Sequence, residues 1–503
     1  MTMSPATQVH PAVYLDYAVL TRAFACFAMA LILVCPLSPD PGAFAIGACI
    51  PCLVLYIIGT PTMPAPVAYF LLWQWLQTFA RVLVGIVDET PMERSVFGPS
   101  VEDAYWYMMA SIVMLALAFR TALNSLRPPS EASRTHHMRW RPVDVFQVYI
   151  AAFGLSVFSS YAVTVVPALY QQLDTVAKFK FAAQFLLFAN VLSTGQGYRF
   201  MAAAVGLELI TGFSGLLGDF RGVFIVVAVT ALAIRIRMPP AIGFAIAGWA
   251  VALIVLGLFW TSVKTDYRDF ATGYSETQAL TASFGDRIGY IGQKAVSVDE
   301  IDFDDSFYTL LSRLAYVDIF GSVVGVADTI PNPESMKQWE DAFSHVFQPR
   351  ILFPMKAALS DTEVYLRLTR AEPTEVVRST TSISVGYMAE NYADLEFPGM
   401  LVGIFAIGFT MGAVIRFFMT SAVPWTVREA TVMAFIYTVG SNGVEVSLPK
   451  LFGAAVMFFV IYAVLVKFVY PIGLRWLDAR LAQIRGQRRN AQRASAAVRS
   501  VRR

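Results

Sequence analysis

Residues 398 to 418 read PGMLVGIFAIGFTMGAVIRFF, a run in which Arg416, two places from the end, is the only charge. A helix rises about 1.5 Å per residue, so a run of this length spans a hydrocarbon core about 30 Å thick. Working outward, comparable runs lie near residues 17–36, 42–59, 65–87, 101–122, 144–167, 178–195, 198–215, 220–236 and 241–262, and again near 427–446 and 449–472. The total is about twelve crossings. Lys180, Arg199, Glu208 and Arg221 interrupt the sixth to eighth of them.

The composition agrees. The chain has 503 residues, 56% hydrophobic and only 15% charged, where a soluble domain has about 25% charged residues. Its surface must therefore face lipid. The expected fold is an all-α polytopic membrane protein of about twelve transmembrane helices, with one large extracytoplasmic loop region of short helices. Residues 1–262 would hold helices one to nine, 263–397 the outer region, 398–472 helices ten to twelve, and 473–503 a basic cytoplasmic tail.

Lys and Arg in short loops resist translocation and so fix orientation. Arg127, Arg134, Arg139 and Arg141 lie between the fourth and fifth runs, and Arg235 and Arg237 between the eighth and ninth. From Arg475 onward the tail carries nine arginines against the single acid Asp478. Under alternation all three groups fall on one side. Both termini are predicted to be cytoplasmic, with the tail lying against anionic membrane lipids. Nucleic-acid binding is disfavoured, because no stacking aromatics or folded basic module accompany the arginines. The first run carries no basic segment and cleavage site of the secretory kind, so it reads as a retained crossing.

The connection from about Ser262 to Phe397 holds 21 of the 36 acidic residues and far exceeds an ordinary loop. Within it, Phe307 to Val326 is apolar apart from Arg313 and Asp318, as expected of an amphipathic helix lying along the membrane surface. The acidic run Asp299, Glu300, Asp302, Asp304, Asp305 lacks the glycine and spacing of a calcium loop. Cys26, Cys35, Cys49 and Cys52 fall in or beside the first two apolar runs, where packing is their expected role. No nucleotide, metalloprotease or nucleophile-elbow motif is present, and neither metal nor cofactor is expected.

Cations near the outer face suggest an anionic ligand. Arg81 ends the third run beside Trp73 and Trp75, where it either snorkels toward headgroups or binds substrate. Arg221 opens the eighth run in Gly218-Asp219-Phe220-Arg221-Gly222, whose glycines leave room for a ligand. The outer connection adds Arg268, Arg287, Arg313, Arg350 and Lys356. Guanidinium groups make paired hydrogen bonds to phosphate oxygens and neutralise charge on a departing diphosphate. Pro349-Arg350 and Pro354-Met355-Lys356 would present two cations from one irregular loop. Thr381-Ser382-Ile383-Ser384-Val385-Gly386 supplies hydroxyls and a glycine for sugar or phosphate contact. Glu390 or Asp394 beyond it could take a proton from a sugar hydroxyl. His345 is the one histidine expected outside and a further candidate base.

With these residues in view, the chain resembles the O-antigen polymerase and ligase superfamily, and within it the oligosaccharide repeat-unit polymerases of bacterial surface polysaccharide assembly. The likeness rests on Gly218 to Gly222, on Pro349-Arg350 with Pro354-x-Lys356, and on Ser384-x-Gly386 with Ala389-Glu390-x-Tyr392. It covers roughly residues 200 to 420. Where that pattern has a Phe-Gly pair after the acid, this chain has Leu395-Glu396-Phe397-Pro398-Gly399.

The resemblance implies metal-independent transfer of a glycan from undecaprenyl diphosphate onto another carrier-linked unit, at the outer face of the bacterial inner membrane. It implies that Arg221 and Arg350 hold diphosphate, that Lys356 assists and that Glu390 is the base. Asp394 and His345 complete the catalytic candidates, and Arg81, Arg287, Arg313 and Tyr392 the substrate-binding ones. The expected partners are a lipid-linked oligosaccharide, membrane lipids, and a chain-length regulator and a flippase of the same pathway. A ligase that moves finished polymer onto another acceptor shares the fold and depends on a histidine, which would be His345. A transporter or lipid flippase is the reading from a different class, although the chain shows no repeat of the kind transporters often carry.

Overall fold

The computed structural model describes residues 13–483 apart from 216–219, 239, 274–280, 298–302, 328, 330–334, 349–352, 354–359 and 373–382. Among the described residues the elements are helical apart from one isolated bridge. Among the described residues, nine helices are long and apolar enough to cross a membrane: Tyr17–Leu37, Pro41–Ile58, Ala65–Asp88, Val101–Leu123, Pro142–Val163, Tyr170–Thr194, Gly248–Thr272, Met400–Met419 and Leu448–Gln483. The other three expected runs are also helices, but shorter: Tyr198–Ser214, Arg221–Ala233 and Trp425–Gly440. Pro41 and Pro142 each occupy a first helical position, where the missing N–H would have had no intrahelical acceptor anyway.

Lipid supplies no hydrophobic force between helices, so close packing of small residues has to hold them together. The Met400–Met419 helix meets Val101–Leu123 in this way. A Cβ at Gly408 would lie 2.8 Å from Ala118 Cβ, and one at Gly412 would lie 2.5 Å from Ala122 Cβ. These glycines are four apart on one helix face, and each removes the atom that would hold the two backbones apart.

One end of the bundle gathers the basic segments. Tyr14 bridges Arg237, the Trp425 N–H donates to Ser133 Oγ at 3.0 Å, and Trp140 Nε1 donates to Asp478 Oδ1 at 2.9 Å. Residues near both termini of the described chain therefore meet the 127–141 and 235–237 segments at the same end.

The opposite end carries the short helices expected of the outer region: Phe284–Val296, Phe303–Leu314, Val317–Ala327, Lys337–Phe347, Asp361–Thr369 and Tyr387–Leu395. Two details differ from the sequence expectation. The helix beginning at Pro240 runs on to Thr272, ten residues beyond the apolar run that revealed it, because nothing in Val263–Thr272 breaks a helix. The Phe307–Val326 stretch is two helices bent by 51°, and the second is buried rather than laid on a surface. Gly321 permits this, since a Cβ there would come within 2.5 Å of Val101 Cγ2.

Candidate functional site

A cavity of about 2180 Å³ opens at the end of the bundle opposite the basic segments. Its wall draws on almost the whole chain: Trp73 and Arg81, then Lys178, Arg221, Trp260, Lys264 and Arg268, then Arg313, Tyr316, Asp318 and His345, and finally Ser384, Ser441, Asn442, Glu445 and Lys450. A second wall is apolar. Leu253, Ile254, Val456 and Met457 contribute to it from two spanning helices, and Ile254 and Val456 are partly exposed.

Three of the lining cations are neutralised by nearby acids. Arg81 Nε is 3.0 Å from Asp318 Oδ1, Lys178 is 3.3 Å from Asp174, and Lys450 is 2.6 Å from Asp361. Another group of cations lines the same cavity. Arg221, Lys264 and Arg313 make no salt bridge among the described residues, and Arg268 stands one turn beyond Lys264 on the same helix. Arg313, Arg268, Arg221 and Glu445 all lie within electrostatic range of Lys264. Like charges raise one another's energy, Glu445 offsets only part of that repulsion, and an anionic ligand would offset more, which is the electrostatic signature of an anion site.

Local structure fixes these side chains. Arg221 is the first residue of its helix; its Nη2 donates to the Ser441 carbonyl at 3.1 Å, and its guanidinium lies 5.2 Å from the centre of the Trp73 ring. Those contacts hold the guanidinium plane as a stacked arginine is held. The Ser441–Val446 turn, which the sequence had assigned to the end of an apolar crossing, is anchored by Gln77. Gln77 Nε2 donates to Asn442 O at 3.2 Å and to Glu445 Oε1 at 3.0 Å, while its Oε1 accepts the Val444 N–H at 3.0 Å. Gln77 is buried, and this network leaves its amide fully used.

The sequence-derived candidates divide. Arg221, Arg313, Arg81 and His345 line the cavity, Arg81 in its pair with Asp318. Arg350 and Lys356 lie outside the described residues. Arg287 turns away, donating through Nη1 to the Ser214 carbonyl and packing on Phe284. Tyr392 is not on the wall; its ring stacks on Tyr107 at 5.6 Å and meets Phe320 edge-on.

The two candidate carboxylates sit at helix starts. Glu390, buried in the Tyr387–Leu395 helix, accepts the backbone N–H of Leu448, the first residue of its helix. Asp394 accepts those of Gln338 at 3.2 Å and Trp339 at 2.9 Å, in the first turn of Lys337–Phe347. First-turn N–H groups have no intrahelical acceptor, so both acids do the work of caps. Burial pushes the Glu390 carboxyl up to about 8 and raises that of Asp394. Ser384 reaches the wall, but Gly386 serves geometry: its φ is +83°, and a Cβ there would strike the Val444 carbonyl.

Lys264 and Glu445 were missed. Lys264 lies two residues past the apolar run, and its i, i+4 spacing to Arg268 was the available signal. Glu445 follows Ser441-Asn442-Gly443, a turn signal inside what hydropathy reads as one crossing. No protein-family model, curated protein or solved structure matches the chain. The resemblance to the polymerase and ligase superfamily rests on the quoted residues.

Proposed function

We propose that the protein is a polymerase that joins lipid-diphosphate-linked oligosaccharide units into a surface polysaccharide at the non-cytoplasmic face of a bacterial inner membrane. The observation that carries this reading is the convergence of Arg221, Lys264, Arg268 and Arg313 on one cavity that also has an apolar wall contributed by two membrane-spanning helices. A polyprenyl diphosphate is amphipathic in the same sense: a doubly anionic head joined to a chain that belongs in lipid. Cations preorganised around the diphosphate stabilise the charge that develops as the glycosidic bond breaks.

In this reading all twelve helical runs cross, the three short ones included. The basic segments face the cytoplasm by the positive-inside rule, which puts the cavity outside. His345 on the wall favours a second reading, a ligase transferring finished polymer to a different acceptor. His345→Ala separates the two, since a ligase would lose activity and a polymerase would keep it. The direct test is incubation of the purified protein with an undecaprenyl-diphosphate-linked oligosaccharide, without nucleotide. Extension of the glycan supports the proposal, and an unchanged substrate counts against it.

A further inference from the structure

We infer that Glu445 is the group that takes the proton from the attacking sugar hydroxyl, an assignment that rests on the glycosyl-transfer reading of the same cavity. The argument is one of position and of what the other acids are doing. Asp318, Asp361 and Asp174 on the wall each sit in a salt bridge with a lining cation, Asp88 meets the Tyr308 hydroxyl at 3.4 Å, and Asp269, which also lines the cavity, is an exposed side chain with no side-chain hydrogen bond among the described residues to fix its carboxylate. Glu390 and Asp394 are turned into helix starts away from the wall.

Glu445 is different in three ways. It lines the cavity, one of its oxygens is fixed by Gln77, and it stands within electrostatic range of Arg221 and Lys264 without a salt bridge to any described residue. Gln77 uses Oε1, which leaves Oε2 to accept another donor. A base beside the diphosphate site is where an acceptor sugar must stand to attack the anomeric carbon.

The step balances as follows. The acceptor hydroxyl oxygen forms a bond to the anomeric carbon while the bond from that carbon to the phosphate oxygen breaks. The electron pair leaves with the lipid diphosphate, held by Arg221 and its neighbouring cations. The hydroxyl proton passes to the Glu445 carboxylate and from there to solvent. The carboxylate also keeps the cation cluster from being over-charged when no substrate is bound.

Glu445→Gln is the discriminating variant, because glutamine still accepts from Gln77 and so preserves the turn. Full-length protein in detergent should bind undecaprenyl diphosphate within about twofold of wild type, or more tightly since a negative charge is gone, while elongation of a carrier-linked oligosaccharide falls at least about 100-fold. Glu445→Asp, which keeps the charge but shortens its reach, should elongate at an intermediate rate and provides the comparison if the glutamine variant does not accumulate. Wild-type elongation by Glu445→Gln, or by Glu445→Asp where only that variant accumulates, would overturn the assignment while leaving the enzyme reading intact, provided Arg221→Ala is inactive. Wild-type elongation by Arg221→Ala together with undiminished diphosphate binding would instead overturn the reading of the cavity itself.

Discussion

Arg81 Nε and Asp318 Oδ1 face each other at 3.0 Å, with 4% and 12% of their side chains exposed. This pair ties a spanning helix to the second half of the bent outer helix pair, and its two members lie 237 residues apart in sequence. Breaking a buried pair on one side strands a charge, which costs about 3–5 kcal/mol. Asp318→Ala should therefore lower the thermal midpoint of the purified protein sharply. The double replacement Arg81→Met with Asp318→Leu should recover most of the loss, as read by thermal unfolding in detergent.

On the proposed reading, Arg221 and Arg313 bear on activity rather than stability. Either one changed to alanine should leave the protein in the membrane at its usual level while chain elongation drops by about 10²–10³-fold, the range for removing one preorganised donor to developing charge. Arg221→Lys should restore only part of it, since an ammonium cannot reproduce the fork held between Ser441 and the Trp73 ring. Length ladders on a gel compare all three.

Asp394 separates a structural from a chemical role. Asp394→Asn keeps one of the two acceptor oxygens at the start of the Lys337 helix, so it should lose part of the cap's stability but retain wild-type activity per folded molecule. Asp394→Ala should lose about 1–2 kcal/mol as the cap disappears. If Asp394→Asn were folded but inactive, the cap would not be its only task.

Glu390 gives a pH signature. Its carboxyl is ordinarily ionised above about 4.5, but burial holds it protonated in the folded protein up to about 8. Between those values the unfolded chain releases a proton that the folded chain retains, so stability falls as pH rises through this window and levels off beyond it. Glu390→Gln cannot ionise and still accepts from Leu448. Its melting temperature should lack this contribution to the decline between about pH 5 and 8, visible as a flatter curve beside wild type.

Gly386 should be intolerant of change. Alanine there would combine a positive φ with a Cβ driven into the Val444 carbonyl, so Gly386→Ala should reduce accumulation and activity together. Normal yield and normal elongation from that variant would contradict the described contact.

The apolar runs were readable as helices because lipid leaves the backbone no alternative to self-satisfied helices, and nine of the twelve correspond, among the described residues, to helices long and apolar enough to cross. The cavity was half readable. Arg221 and Arg313 announced themselves as charges at or near apolar segments, but Lys264 rides on a helix that outlasts its apolar stretch. Glu390 and Asp394 look like active-site acids because Glu and Asp beside Tyr and Asn before a crossing suggest chemistry. Their partners, the starts of helices at Leu448 and Lys337, are supplied only by tertiary folding.

The cavity wall takes residues from Trp73 through Lys450, and no single stretch of neighbouring helices supplies more than a part of it. During synthesis, which runs from the amino end, Arg221 is in place long before Ser441 and Glu445 emerge to receive it. A nascent chain therefore has the cation cluster only in fragments, and no early-terminated product that stops short of Ser441 can carry the whole wall. The wall is completed only late, by the turn that precedes the last helix and by that helix itself.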